Sequence, residues 1–232
     1  MPFRNRTEAG RRLAEALAAY RGHDVVVLAL PRGGVPVAAE VAAALDASLD
    51  LVLVRKIGAP FHEELAMGAV ADAAGQFCTV RNEDVIAMLG VDGKTFDAVR
   101  AGQLQEIERR RTAYLGDRSR AEVAGRVAIV VDDGVATGAT TRAALRAVRR
   151  QGPAKLVLAV PVAPTDTLAE LRVEADEVVC LEAYAAFGAI GYYYADFRQL
   201  SDEDVTAILE RFPPKAPSFP QAEGAAPPLR AK

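Results

Sequence analysis

Five consecutive apolar residues, Val127-Ala128-Ile129-Val130-Val131, run without a polar break into Asp132-Asp133 and then into Gly134-Val135-Ala136-Thr137-Gly138-Ala139-Thr140-Thr141. A strand that is apolar at every position is buried on both faces, and sheets buried on both faces are parallel sheets covered by helices. The run therefore restricts the chain to an α/β fold. It also puts the two aspartates where a parallel strand meets its loop, at the carboxyl edge where open sheets hold their ligands. Two further apolar runs, 25–30 and 49–54, flank an Ala-rich helical stretch at 35–45 and form a β-loop-α-β unit with a right-handed crossover. Downstream, helical patterns at 140–150 and 165–171 alternate with strand patterns at 156–160 and 177–181. This alternation predicts a doubly wound, mostly parallel sheet.

At 232 residues the chain is long enough for one sizeable core. The expected organisation is a single domain over 1–212 with a small hood, roughly 182–200 plus the N-terminal segment, and a helical insertion at 82–116. Residues 213–232, rich in Pro and Ala, read as a disordered tail. An N-terminal helix is expected over 7–20, capped by Thr7 and closed by Gly22. Residues 55–72 are rich in small side chains and read as a mobile loop entering an edge hairpin that ends near Val80. A rigid hairpin stays open as the alternative, because Leu65, Met67 and Ala69 alternate as a strand would. The net charge of −3 gives no electrostatic case for nucleic-acid binding. Cys78 and Cys180 lack metal-site spacing and read as reduced, buried thiols. With no leader pattern and no apolar run of membrane-spanning length, a cytoplasmic location is expected.

Two ionised carboxylates only accept hydrogen bonds, which suits the hydroxyls of a ribose. The loop from Gly134 to Thr141, with small residues, threonine hydroxyls and a helix start, suits a phosphate. A sugar phosphate fits both halves. No lysine precedes the final threonines as a Walker A loop requires, and the glycines do not follow the dinucleotide spacing G-x-G-x-x-G. A plain βα turn with a threonine cap would not call for the paired acids. Pro31-Arg32-Gly33-Gly34 follows the first core strand, where glycines expose amides to an anion and Arg32 adds a positive fork. Arg55-Lys56 stands beside the same edge, as leaving-group binders or as a solvated loop. His62-Glu63-Glu64 lacks the second histidine of a zinc motif, which leaves a polar loop, or a proton donor at His62 or Glu63.

The stretch 127–141 resembles the signature of type I phosphoribosyltransferases that binds phosphoribosyl pyrophosphate (PRPP). The resemblance implies that Asp132 and Asp133 hold the ribose 2- and 3-hydroxyls. It implies that Val135, Ala136, Thr137, Gly138, Ala139, Thr140 and Thr141 cradle the 5-phosphate. Arg32, Gly33 and Gly34 are similar to the family's pyrophosphate loop, which often contains a non-proline cis peptide, and Arg55 and Lys56 match its basic pyrophosphate contacts. Asp132, Asp133, Arg32 and Lys56 are then the catalytic set, with magnesium carried by PRPP and held in part by Asp132 and Asp133. Residues 58–69 resemble the family's mobile catalytic loop, which implies that 56–67 is a lid that closes over PRPP. The aromatic segment 187–200 resembles the hood of hypoxanthine-guanine phosphoribosyltransferases, with a shorter intervening stretch and no matching lysine. By that match Phe187 or Tyr192 stacks on a base; packing within the hood is the alternative.

The resemblance implies transfer of the phosphoribosyl group of PRPP to a nitrogenous base in nucleotide metabolism, with release of pyrophosphate, by a homodimer that binds neither nucleic acid nor membrane. A PRPP-binding regulator without turnover is the alternative. The retained Arg32-Gly33-Gly34 and Arg55-Lys56 favour the enzyme, since a pure 5-phosphate binder needs them less. An amidotransferase of the same fold would need an N-terminal nucleophile domain, which the start Met1-Pro2-Phe3 does not supply.

Overall fold

The computed structural model describes residues 2–73 and 75–213. The expected tail beyond Pro213 lies outside the described residues, as do the side chains of Glu63 and Glu64. Seven strands form one sheet: β1 (Val25–Ala29), β2 (Ser48–Ala59), β3 (His62–Ala73), β4 (Gln76–Arg81), β5 (Val127–Val131), β6 (Lys155–Pro164) and β7 (Glu177–Tyr184). Their order is β4-β3-β2-β1-β5-β6-β7. Every pairing among β2, β1, β5, β6 and β7 is parallel, while β3 and β4 are antiparallel additions at one edge.

Strand period 2 sends alternate residues to opposite faces. In β1, Val25, Val27 and Ala29 join one core cluster, Val26 and Leu28 the other. The first face is covered by α1 (Arg6–Ala16), α2 (Gly34–Leu45), α4 (Gly93–Leu115) and α7 (Asp202–Glu210). The second is covered by α5 (Ala139–Arg149) and α6 (Thr165–Leu171). The sheet is thus doubly wound, which accounts for the all-apolar strands. A third, smaller cluster joins Phe3 and Tyr194 above the end of β6, and Phe3 forms a bridge with Tyr194. Between β4 and β5 the chain forms α3 (Glu83–Leu89) and α4. Among the described residues no helix is long and apolar enough to cross a membrane.

Three expectations are corrected. The cap of α1 is Asn5, whose side chain accepts from the Glu8 amide at 2.9 Å, so Thr7 lies inside the helix. The segment 55–72, expected to begin as an irregular loop, is strand of the β2–β3 hairpin over most of its length: Arg55, Lys56 and Ile57 pair with Val70, Ala69 and Gly68, and the register shifts between Ile57 and Ala59. Small residues there allow close strand approach, since a Cβ on Gly68 would stand 2.3 Å from the Val80 carbonyl. Finally, Arg55 and Lys56 lie within the twelve-residue β2 and not at a strand end, so they face opposite sides of the sheet.

Candidate active site

Strand β5 ends at Val131, so Asp132 and Asp133 emerge at the carboxyl edge, beside the loop that follows the parallel neighbour β1. That loop contains a cis peptide between Pro31 and Arg32. Gly33 has φ −58° and ψ −39°, ordinary helical backbone, so unusual backbone angles do not explain it. Space does. A Cβ on Gly33 would stand 2.1 Å from Asp133 Oδ2, and one on Gly34 would stand 2.7 Å from the Val131 carbonyl and 2.8 Å from Asp132 Cα. The glycines therefore let the Arg32 loop lie directly against the aspartate pair.

The two carboxylates are in different company. Asp132 Oδ1 accepts from the Asp133 amide at 2.8 Å, and burial, then the Asp133 charge, pushes its pKa well above the ordinary carboxylate range. Asp133 Oδ2 accepts from Arg6 Nε at 2.7 Å in an ion pair almost closed to solvent. Burial still raises Asp133, with Arg6 opposing the shift. The Asp133 carbonyl accepts from the buried Tyr194 hydroxyl at 2.6 Å, which ties the hood to the carboxylate loop. Arg6 Nη1 also donates to the Arg198 carbonyl at 2.9 Å, and its guanidinium covers the Phe197 ring at 3.9 Å. Sequence reasoning missed Arg6 and Tyr194. An arginine in the first turn of a helix opposes the helix dipole and so calls for an acid partner, and a buried tyrosine hydroxyl calls for an acceptor.

The expected phosphate loop divides. Val135 is buried and its amide donates to the Val162 carbonyl at 2.9 Å, and Thr141 is buried in the first turn of α5. The Val135 amide is thus already engaged, and Thr141 is closed to solvent. Ala136, Thr137 and Thr140 are exposed, and Gly138, at φ +74°, turns the chain into α5, whose first amides have no acceptor within the helix. The Ala136 carbonyl is held by the Thr167 hydroxyl at 2.9 Å. Thr137, Ala139 and Thr140 line a cavity of about 720 Å³ together with Lys56, so Lys56 shares a cavity with the loop expected to hold the 5-phosphate. Arg32, Gly33 and Asp133 line a second cavity of about 460 Å³ with Arg6 and Phe197. His62 lines neither of them. Arg55 is on the other face, where its Nε donates to Gln103 at 3.0 Å.

Neither aromatic expected at a base lines these cavities. Phe187 stacks on Tyr193 at 4.8 Å, and Tyr193 stacks on Tyr184 at 4.7 Å, forming a three-ring column in the hood. Tyr192 is 79% exposed. Phe197 is the aromatic residue that lines the Asp133 cavity. The described residues hold no group of three or more side chains able to ligate a metal. Two adjacent carboxylates that share repulsion, Asp133 buried and Asp132 half-buried, do fit a cation whose other ligands come from a bound phosphate compound, the usual manner of magnesium.

Residues 4–196 match the model of the phosphoribosyl transferase domain. The chain is 48% identical over 209 residues to "Putative phosphoribosyl transferase Rv0571c" of Mycobacterium tuberculosis H37Rv, and equally to its counterpart in strain CDC 1551. The match takes in 90% of this chain and 46% of each relative, so the chain spans about half the length of the curated relatives it matches. The crystal structure of TT1426 from Thermus thermophilus is 44% identical and superposes with a TM-score of 0.78, covering 92% of this chain and 100% of that one. With the aspartate pair, the Arg32 loop and the opening of α5 gathered at one sheet edge, and with the domain match running from the N-terminal segment through the hood, the chain belongs to the type I phosphoribosyltransferase family.

Proposed function

We propose that the protein transfers the 5-phosphoribosyl group of PRPP to a nitrogenous base and releases pyrophosphate. The observation that supports this best is the contact of the Arg32-Gly33-Gly34 loop with Asp132 and Asp133, beside the α5 N-terminus. A 5-phosphate, a ribose and a diphosphate each find a chemically matched partner within that span. Asp132 and Asp133 accept hydrogen bonds from the ribose hydroxyls. Thr137, Gly138, Ala139 and Thr140, with Lys56 across the cavity, receive the 5-phosphate, and Arg32 faces the pyrophosphate. The acceptor nitrogen forms its bond to C1 as the C1–oxygen bond to pyrophosphate breaks. Positive charge that develops on the ribose ring is stabilised by the adjacent carboxylates. Asp132 and Asp133 would hold magnesium jointly with oxygens of the substrate; when bound it supplies neutralisation of the departing diphosphate.

The test is a screen of nucleobases and small amines with PRPP and magnesium, read as pyrophosphate release. Release with at least one acceptor, lost in Asp133→Asn, is expected. PRPP binding without release for any acceptor would support the second reading, a regulator that binds and does not turn over. One observation favours that reading: Asp133 is already paired with Arg6, as a site without turnover could remain.

A further inference from the structure

Helix α4 presents Glu106, Arg109 and Arg110 in one patch, with both arginines donating to the Glu106 carboxylate at 2.7 to 3.0 Å. Those bonds hold Glu106 down to a pKa of about 2. The patch faces the Arg32 loop. Arg32 Nη1 lies 3.7 Å from Asp202 Oδ1, and Arg109 Nη1 lies 3.9 Å from Asp202 Oδ2. The Tyr114 hydroxyl, also from α4, donates to Asp202 Oδ1 at 2.7 Å. Two guanidinium groups and a hydroxyl, one from the Arg32 loop and two from α4, thus converge on one carboxylate at the start of α7. Arg55 stands close by, its pKa lowered by burial and then by Arg110 and Arg109. Around this point four arginines, 32, 55, 109 and 110, meet two carboxylates, Glu106 and Asp202, which leaves a surplus of positive charge.

We propose that Arg109 is a second pyrophosphate-binding residue beside Arg32, and that the Asp202 carboxylate holds the place of that anion until it binds. The inference rests on the phosphoribosyltransferase reading and adds to it a cation from the helical insertion. A single arginine is a poor match for a diphosphate, which carries several charges and accepts bidentate bonds. Arg32 and Arg109 already share an anion, so a diphosphate placed between them meets both without rearranging the sheet. The ion pairs it displaces are long, and all three partners are about one-third exposed or more, so they are weak and screened. The Tyr114 bond is the one well-formed contact that must be given up. Helix α7 remains attached through its far end, where Arg118 donates to the Leu209 and Phe212 carbonyls, so Asp202 can turn to solvent while α7 stays docked.

Calorimetric titration of the full chain with inorganic pyrophosphate and magnesium, and separately with ribose 5-phosphate, tests the proposal. Asp202→Asn keeps an acceptor for Tyr114 and removes the competing charge, and it should tighten pyrophosphate about threefold or more while leaving ribose 5-phosphate unchanged. Arg109→Gln, on an exposed face, should weaken pyrophosphate about tenfold and also leave ribose 5-phosphate unchanged. Pyrophosphate affinity within about twofold of the wild type in Arg109→Gln overturns the proposal whatever Asp202→Asn does, and leaves the phosphoribosyltransferase reading standing. A wild-type chain that binds neither pyrophosphate nor PRPP overturns that reading, and this proposal with it.

Discussion

Gly33→Ala separates two physical arguments that predict opposite signs. At φ −58° and ψ −39° an alanine suffers no backbone strain, and on entropy alone the change would stabilise the fold by about 0.5–1 kcal/mol. The contact says otherwise. The new Cβ would stand 2.1 Å from Asp133 Oδ2 and 2.5 Å from its Cγ, where ordinary contact begins at 3.4 Å, so the carboxylate must move by more than an ångström. Such a move breaks its 2.7 Å bond from Arg6, a partly desolvated, charge-assisted contact of about 1.5–3 kcal/mol. Set against the entropic gain, the net expectation is destabilisation by about 1–2 kcal/mol. PRPP affinity should fall at least about tenfold, because the displaced carboxylate is also the proposed ribose ligand. Urea unfolding and PRPP calorimetry on the same variant check both. A variant that is more stable than the wild type and binds PRPP unchanged would refute the claim that Gly33 is there to admit Asp133.

Further outcomes follow from the same geometry. Tyr194→Phe leaves the Asp133 carbonyl without its buried donor and should lower stability by about 1–3 kcal/mol in urea unfolding; a loss under about 0.5 kcal/mol would count against the hood as a brace for the site. Lys56→Ala should weaken ribose 5-phosphate binding several-fold in calorimetry whereas Arg55→Ala should not, since only Lys56 shares the cavity of the phosphate loop; equal effects would contradict the opposed faces of β2. Asp132 has a folded pKa above its unfolded value, so it contributes stability that is full below about pH 4 and is lost as pH rises through the folded value. Asp132→Asn should therefore raise the melting temperature of the ligand-free chain near pH 8 more than near pH 5, and parallel curves across that range would be the adverse result. Hydrogen exchange at Arg55, Lys56 and Ile57 should be slow without ligand, given their places in the β2–β3 ladder; fast exchange there would restore the lid.

What can be read from the chain alone tracks how far local rules reach. The strand 127–131, its aspartates and the α5 loop are legible because double burial removes every polar residue from a strand and so marks its end sharply. The hairpin is less legible: Gly58, Ala59, Ala66, Gly68 and Ala69 carry little strand propensity, and what places them in a sheet is the pairing of β3 with β2 and with β4, a tertiary fact. Gly33 and Gly34 stand out in the sequence for conformational freedom, whereas their cause is space beside residues a hundred positions away. Arg55 and Lys56 read as one basic pair although strand period sends them apart, which only the true extent of β2 makes visible. Phe187 and Tyr192 are singled out by position in the hood, whereas the aromatic residues beside Asp133 are Tyr194, through its hydroxyl, and Phe197, which lines the same cavity.

The proposed ligand groups are already engaged. Asp133 holds Arg6, Arg32 holds Asp202, and both pairs join the sheet edge to the covering segments at the two ends of the domain, α1 and α7. Binding of a substrate with hydroxyls and a diphosphate is then an exchange of partners, and its free energy is the difference between two sets of charged contacts. The two exchanges are unequal. The Arg32 pair is long and part-exposed and yields readily, whereas the Arg6 pair is short and almost dry, so removing Arg6 outright would strand a buried carboxylate. Ribose hydroxyls that add to the free lone pairs of Asp133 while Arg6 stays in place avoid that loss, since an ionised carboxylate accepts about four hydrogen bonds. Arg6 thus orients Asp133 and limits the build-up of negative charge beside the half-buried Asp132, a charge that a cation arriving with the substrate would neutralise further.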